Sequence, residues 1–161
     1  MSLHVRLMRP QDAEAVVAMV QALADFVGTN TVPALTADSL IHNGDLIRVD
    51  VAERDGELAG ACLSLMTFST WRGEKGLYVV DLFINAGERG QGTGAKLLAA
   101  AAADARKRGA RFIKLEVDKS NNGAEKFYMN LGFARKEEDR LYFLEDEDMQ
   151  RLIEGGNRRT K

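Results

Sequence analysis

The chain has 161 residues, 45% of them hydrophobic and 29% charged, with a formal net charge of −2. That length supports one domain with a sizeable core, and the balance is that of a soluble globular protein. A net charge of −2 leaves no basic footprint for nucleic acid. A single cysteine, Cys62, excludes a disulfide framework and a cysteine-based metal cluster. The two histidines, His4 and His42, lie far apart, and no metal-ligand spacing is present, so no metal is expected. MSLHVRLMRP lacks an apolar signal core, and no apolar run approaches the roughly 20 residues of a membrane span, so the expectation is a cytoplasmic protein without membrane contact.

LHVRLM (3–8) alternates as a strand does, and Pro10 ends it. Asp12 can cap a helix running to about Phe26, with Ala15, Val16, Met19, Val20 and Leu23 as apolar positions. GTNTVPA reads as a loop, and Thr36 can cap a short helix over Ala37–His42. LIRVDVAER (46–54) and ELAGACLSLMTF (57–68) form strands joined by an Asp55-Gly56 hairpin turn, with Gly60 marking a bulge. Cys62 lies in the second of these strands and reads as a small core residue. STWRGEKG is a loop. LYVVDLFIN (77–85) is the most continuous apolar strand, expected to be central and buried on both faces.

A helix from about Gly92 to Arg108 follows, with Leu97, Leu98, Ala101, Ala102 and Ala105 on its apolar stripe and Gly109 just past its end. RFIKLEVD (111–118) is a strand, NGAEKFYMNL a short helix ended by Gly132, and FARKE with RLYFLE a final hairpin. The order is β-α-α-β-β-β-α-β-α-β-β, an α/β domain with a mixed sheet and a right-handed crossover through the long helix. Residues 1–154 are expected to form one domain and GGNRRTK (155–161) a frayed tail.

ERGQGTGAKLL (88–98) carries Gly90, Gly92 and Gly94 at alternate positions before a helix. Glycines lose the most entropy on folding, so such a cluster points to close backbone approach or to anion binding at a helix start. A Walker A loop is not met, because Lys96 is preceded by Ala95 and followed by Leu97 rather than a hydroxyl residue. The dinucleotide fingerprint is formally met by Gly90, Gly92 and Ala95, with Glu116 as the later acid, but Gly90 lies several residues beyond the strand. A purely structural glycine turn is the plain alternative. The remaining pattern, R-x-x-G-x-G/A, is met by Arg89, Gly92 and Gly94. A second motif, N-x-x-A-x-x-x-Y-x-x-x-G-F, is met by Asn121, Ala124, Tyr128, Gly132 and Phe133.

Together, in this order and separated by a strand, the two motifs resemble the GNAT superfamily of acetyl-CoA-dependent N-acetyltransferases. The resemblance covers roughly residues 3 to 152. It implies a mixed, mostly antiparallel central sheet, splayed at the cofactor cleft and flanked by helices, with acetyl-CoA as co-substrate. It further implies that the backbone of Leu82, Phe83 and Ile84 pairs with the pantetheine arm. The loop Arg89, Gly90, Gln91, Gly92, Thr93, Gly94 and Ala95 would hold the pyrophosphate, and Asn121 and Ala124 would line the coenzyme site. Tyr128 would protonate the departing thiolate, a role suited to a phenol that keeps its proton at neutral pH.

The segments LADFVGTNTVPALTADSL, FSTWRGEKGLYVVDLFI and RLYFL are similar to the diamine and thialysine acetyltransferase branch, which implies a homodimer. That branch has a glutamate where this chain has Val80, while Asp81 is retained. Its polyamine-binding glutamates are replaced over Val27, Gly28, Asn30 and Thr31. Glu116, or Glu137, Glu138 and Asp139, could supply the lost carboxylates. The expected reaction is acetylation of a primary amine on a small molecule by direct attack, with Asp81 or Glu116 as base. Trp71 and Phe68 would line the substrate mouth or a dimer contact. The alternatives are a protein lysine or N-terminal acetyltransferase and, further off, a degenerate acyl-CoA-binding sensor.

Overall fold

The computed structural model describes residues 2–26 and 32–155. Two compact units divide the chain, one ending at Phe127 and the other beginning at Tyr128.

The first unit is built on a five-stranded sheet in the order β1-β2-β3-β4-β5. Its strands are β1 (His4–Leu7), β2 (Arg48–Arg54), β3 (Glu57–Ser69), β4 (Glu74–Ile84) and β5 (Ala110–Leu115). The first three pairings are antiparallel and β4 with β5 is parallel, so the sheet is mixed and mostly antiparallel. A parallel pair needs a crossover, and α3 (Thr93–Lys107) supplies it. The Asp55-Gly56 turn has φ of 56° and 83°, the paired positive values of a tight hairpin. Between Ala52 and Glu53 the β2–β3 register steps past one residue beside Gly60, the bulge that glycine marked.

A helical turn at Pro10–Asp12 leads into α1 (Ala13–Phe26). Asp12 does more than guard the helix start. It accepts from Arg6 at 2.7 Å, and Arg6 also reaches Glu53 at 2.6 Å, tying β1, β2 and the entry to α1 together. Thr36 caps α2 (Ala37–His42) through the Ser39 N–H at 3.1 Å. One face of the sheet packs Val49, Val51, Ala61, Leu63 and Phe83 against Ala13, Val16, Met19 and Leu40. The other is covered by α3, through Leu97, Leu98, Ala101 and Ala105. On that second side Asp50 is 1% exposed and is held by both arms of Arg48, at 2.9 and 2.8 Å. Arg48 also reaches Asp104 of α3 at 3.2 Å.

The expectation that β4 is buried on both faces throughout needs correction. Val80 is 42% exposed. The β3–β4 register explains it: Leu63 pairs with Asp81 and Ser64 with Val79, so Val80 is an extra residue with no opposite number. A bulge of one residue flips every side chain beyond it. β4 also begins at Glu74, so the loop before it is shorter than STWRGEKG.

Helix α4 (Asn122–Asn130) spans the boundary between the units. In the second unit Gly132 has φ 98°, and the Phe133 N–H returns to the Tyr128 carbonyl at 3.1 Å, ending the helix as expected. The expected final hairpin is absent there. FARKE and RLYFLE form no paired strands, and a helix, α5 (Asp146–Ile153), follows them. Leu141, Tyr142 and Phe143 are 71%, 86% and 74% exposed. Alternation makes a segment suited to a strand, but only a partner satisfies its N–H and C=O groups.

The buried Asp50–Arg48 pair generates a stability prediction. Asp50→Asn is expected to cost about 3 kcal/mol in urea denaturation, because it leaves the Arg48 guanidinium with one carboxylate fewer. Adding Arg48→Met is expected to recover part of the loss, whereas two additive losses would show that the pair is not coupled.

Candidate acetyl-transfer site

The site begins where β5 stops. Pairing of β4 with β5 ends at Val79 and Leu115, while β4 continues to Ile84 along β3. The main chain of residues 80–84 therefore has an open side. The Asn85 N–H donates to Ala59 of β3 at 2.9 Å. Main-chain groups alternate between neighbours along a strand, so Phe83 faces β3 and Leu82 and Ile84 face the open side. Phe83 thus has its main chain turned to β3 and its ring in the core. The Ile84 carbonyl accepts from Arg89 Nε at 3.2 Å, so Arg89 holds the loop to the strand end.

The glycine loop follows directly. Gly90 and Gly92 have φ of 76° and 81°, and a Cβ at either would meet open space, so it is the backbone turn that requires glycine there. At Gly94 space decides: a Cβ would come within 3.0 Å of the Phe127 ring. Besides Arg89, three further contacts tether the loop. Asn85 Nδ2 donates to the Leu58 carbonyl at 2.7 Å, Arg54 reaches Glu88 at 3.1 Å, and Gln91 Nε2 donates to the Gly87 carbonyl at 2.8 Å. The first intrahelical bond of α3 is from Lys96 N–H to the Gly92 carbonyl. Among the described residues, the N–H groups of residues 90–95 meet no acceptor. The Thr93 hydroxyl is buried there without a partner. A run of bare amides at a helix start favours an anion through both hydrogen bonds and the helix dipole.

On the α1 face of the open strip the bulge brings Tyr78 and Asp81 to the same side, since Tyr78 pairs with Leu65 and Asp81 with Leu63. Burial pushes the Asp81 carboxyl above its ordinary range, and among the described residues no hydrogen bond or ion pair reaches it. Glu116, just past the end of β5, acts on the Tyr78 hydroxyl; burial first and then this carboxylate raise the phenol's pKa, with Asp81 adding to the effect. The two predicted acids thus meet around Tyr78, which sequence reasoning missed. Its signal was the strand register, which a one-dimensional pattern does not carry. Lys114 Nζ lies 5.7 Å from the Tyr78 ring centroid.

The remaining expected residues fall as follows. Asn121 accepts from the Ala124 N–H at 3.1 Å, so its side chain starts α4. In the second unit Tyr128 stacks edge-on against Phe133, with centroids 5.4 Å apart. Glu137, Glu138 and Asp139 are exposed there, and Glu137 pairs with Arg135 at 2.9 Å. Val27, Gly28, Asn30 and Thr31 lie outside the described residues. Trp71 is 99% and Phe68 60% exposed at the β3–β4 turn. Cys62 is fully buried, and burial pushes its thiol up to about 12, so it offers no thiolate nucleophile. No helix among the described residues is long and apolar enough to cross a membrane. A cavity of about 600 Å³ at the C-terminal end of α3, lined in part by Arg48, Ser64 and Asp104, is separate from the glycine loop.

A strand running on past its parallel neighbour into a loop of bare amides is the arrangement that the two motifs anticipated. The model of the acetyltransferase (GNAT) family matches residues 17–133. The chain belongs to the GNAT acetyltransferase family. Streptothricin acetyltransferase of Streptomyces lavendulae is 39% identical over 80 residues, which is 50% of this chain and 40% of that protein. The chain thus spans less than half the length of the curated relatives it matches. An integron cassette protein from the mobile metagenome of V. cholerae superposes with TM-score 0.76 at 19% identity, over 95% of this chain and 98% of that one. An aminoglycoside acetyltransferase from a soil metagenome, solved with sisomicin, gives 0.74 at 17% identity, over 89% and 97%. At these identities the likeness is one of fold, and it agrees with the GNAT-like sheet read from the sequence.

The loop generates a paired prediction. Gly92→Ala is expected to destabilise the protein by about 1 kcal/mol in chemical denaturation, because φ of 81° strains any Cβ. Gly87→Ala, where a Cβ meets open space and φ is ordinary, is expected to change stability by well under that.

Proposed function

We propose that this GNAT protein transfers the acetyl group of acetyl-CoA to a primary amine of a small molecule. The observation that carries this is the open strip of β4 running into the unpaired amides of residues 90–95. These groups fit coenzyme A. Gly90, Gln91, Gly92, Thr93, Gly94 and Ala95 would cradle its pyrophosphate, and the free edge at Leu82 and Ile84 would pair with its amide-bearing arm. The coenzyme supplies an activated acetyl thioester. An N–H on the strip would hydrogen-bond the thioester oxygen, where developing charge is stabilised.

The acceptor enters as an ammonium, because amine pKa values lie near 10, and must lose a proton before it attacks. Asp81 or Glu116 takes that proton, directly or through water. Asp81 suits the task because burial raises its basicity toward the working pH. Tyr128, matched by the second motif, returns a proton to the departing thiolate. The aminoglycoside acetyltransferase of the same fold acts on an amine-bearing small molecule, which supports the acceptor class. By resemblance to the diamine and thialysine branch we also expect a homodimer, which sedimentation at micromolar concentration would test.

Thiol release from acetyl-CoA across a panel of small amines and a lysine peptide tests the reading. Turnover of small amines supports it; turnover of the peptide alone would move the acceptor to proteins. Asp81 must be ionised to act, so kcat/KM should fall as pH drops through its raised pKa, with the acid limb above the ordinary carboxylate range. Asp81→Asn is expected to abolish that limb, and a limb unchanged in the variant would leave Glu116 as the base. Tyr128→Phe is expected to lower kcat by about 100-fold. A rate near that of the parent would remove the proton-donor role.

A further inference from the structure

Resting on the acetyl-transfer reading, the geometry points to Lys114 as a specificity-determining residue that selects an amine acceptor carrying a negatively charged group. The face of β4 and β5 that holds the candidate acids is not uniformly acidic. Lys114 pairs with Tyr78 in the parallel register and holds its ammonium 5.7 Å from the ring centroid. Glu116 lies two residues further along, which at about 3.3 Å per residue places it roughly 7 Å beyond Lys114. In the other direction Phe112 pairs with Gly76, and the Arg72 guanidinium sits 5.1 Å above the Phe112 ring. Arg72 is paired with Glu74 at 3.1 Å, so charge along this face runs from the Lys114 ammonium to the carboxylates at Asp81 and Glu116.

An acceptor whose ammonium meets Asp81 and Glu116 projects the rest of its length either past the strand ends or back over Tyr78. Over Tyr78 the ring face is already taken by a cation. A second ammonium there faces Lys114 and is repelled, whereas a carboxylate or phosphate is attracted. An ω-amino acid with its two charges about 7 Å apart matches this spacing, and a diamine of the same length does not. Val80 agrees: at the extra residue of the bulge, 42% exposed, it adds an apolar side chain and no third carboxylate.

The test compares 5-aminopentanoate with 1,5-diaminopentane as acceptors for the full chain, by thiol release. The parent is expected to favour the amino acid in kcat/KM by about five-fold or more, the scale of a partly exposed charge pair. Lys114→Glu is expected to reverse the preference, Lys114→Met to level it, and Lys114→Arg to keep it. Circular dichroism checks that each variant folds, and the Lys114→Arg result stands in for any variant that does not. A parent without preference, or a ratio unmoved by Lys114→Glu, overturns the inference. Turnover of other amines but of neither member of this pair also overturns it and leaves the acetyl-transfer reading standing. No thiol release with any amine would take down that reading itself.

Discussion

One extra residue in β4 sets the geometry on which the candidate site depends. Without the bulge at Val80, positions 77, 79, 81 and 83 would all share a face. With it, Leu77 and Val79 point toward α3, while Asp81 and Phe83 point toward α1. The same step puts Tyr78 and Asp81 side by side, three residues apart in a strand whose ordinary repeat is two. A strand of nearly continuous apolar residues is what such a flip requires, because both parities must serve a core. The sheet thus presents acids on one side of the cleft strip and keeps α3 packed on the other.

The glycine-loop half of the candidate site is built on a different principle. Its positive potential comes from main-chain amides and the start of α3 rather than from a cluster of lysines and arginines. Arg89 is the nearest arginine in the motif, and its Nε is spent on the Ile84 carbonyl. Side chains instead fix the loop's path, through Asn85, Gln91 and the Arg54–Glu88 pair. Amides held in place before a ligand arrives need no ordering at binding, so less entropy is lost then. The strained positive φ values at Gly90 and Gly92 are tolerated because the residues bear no Cβ.

The acid half depends on partial burial. Asp81 is half-covered and without a partner among the described residues, so desolvation is the cause of its raised pKa. Asp50 is buried more deeply but is gripped by Arg48 at two points. Two carboxylates in one sheet thus meet different surroundings: one is satisfied by an arginine, the other is raised in pKa by burial alone.

The elements through α4 were legible because each carries local punctuation: Thr36 as a cap, Asp55-Gly56 as a turn, Gly109 and Gly132 as helix stops. The glycine loop and the second motif were legible for the same reason, since main-chain strain and helix caps are written into neighbouring residues. The final hairpin was misread, because RLYFLE has the alternation of a strand but no strand partner in its unit. Tyr78 and Lys114 were missed because 36 residues and a helix separate them in the chain, and only the β4–β5 register sets one beside the other. The sequence by itself determined the order of the elements through α4, the glycine loop and the family. Tertiary structure alone decided which side of β4 each residue faces and which charges share the cleft, because register and bulge position are properties of paired strands, not of either strand's own residues.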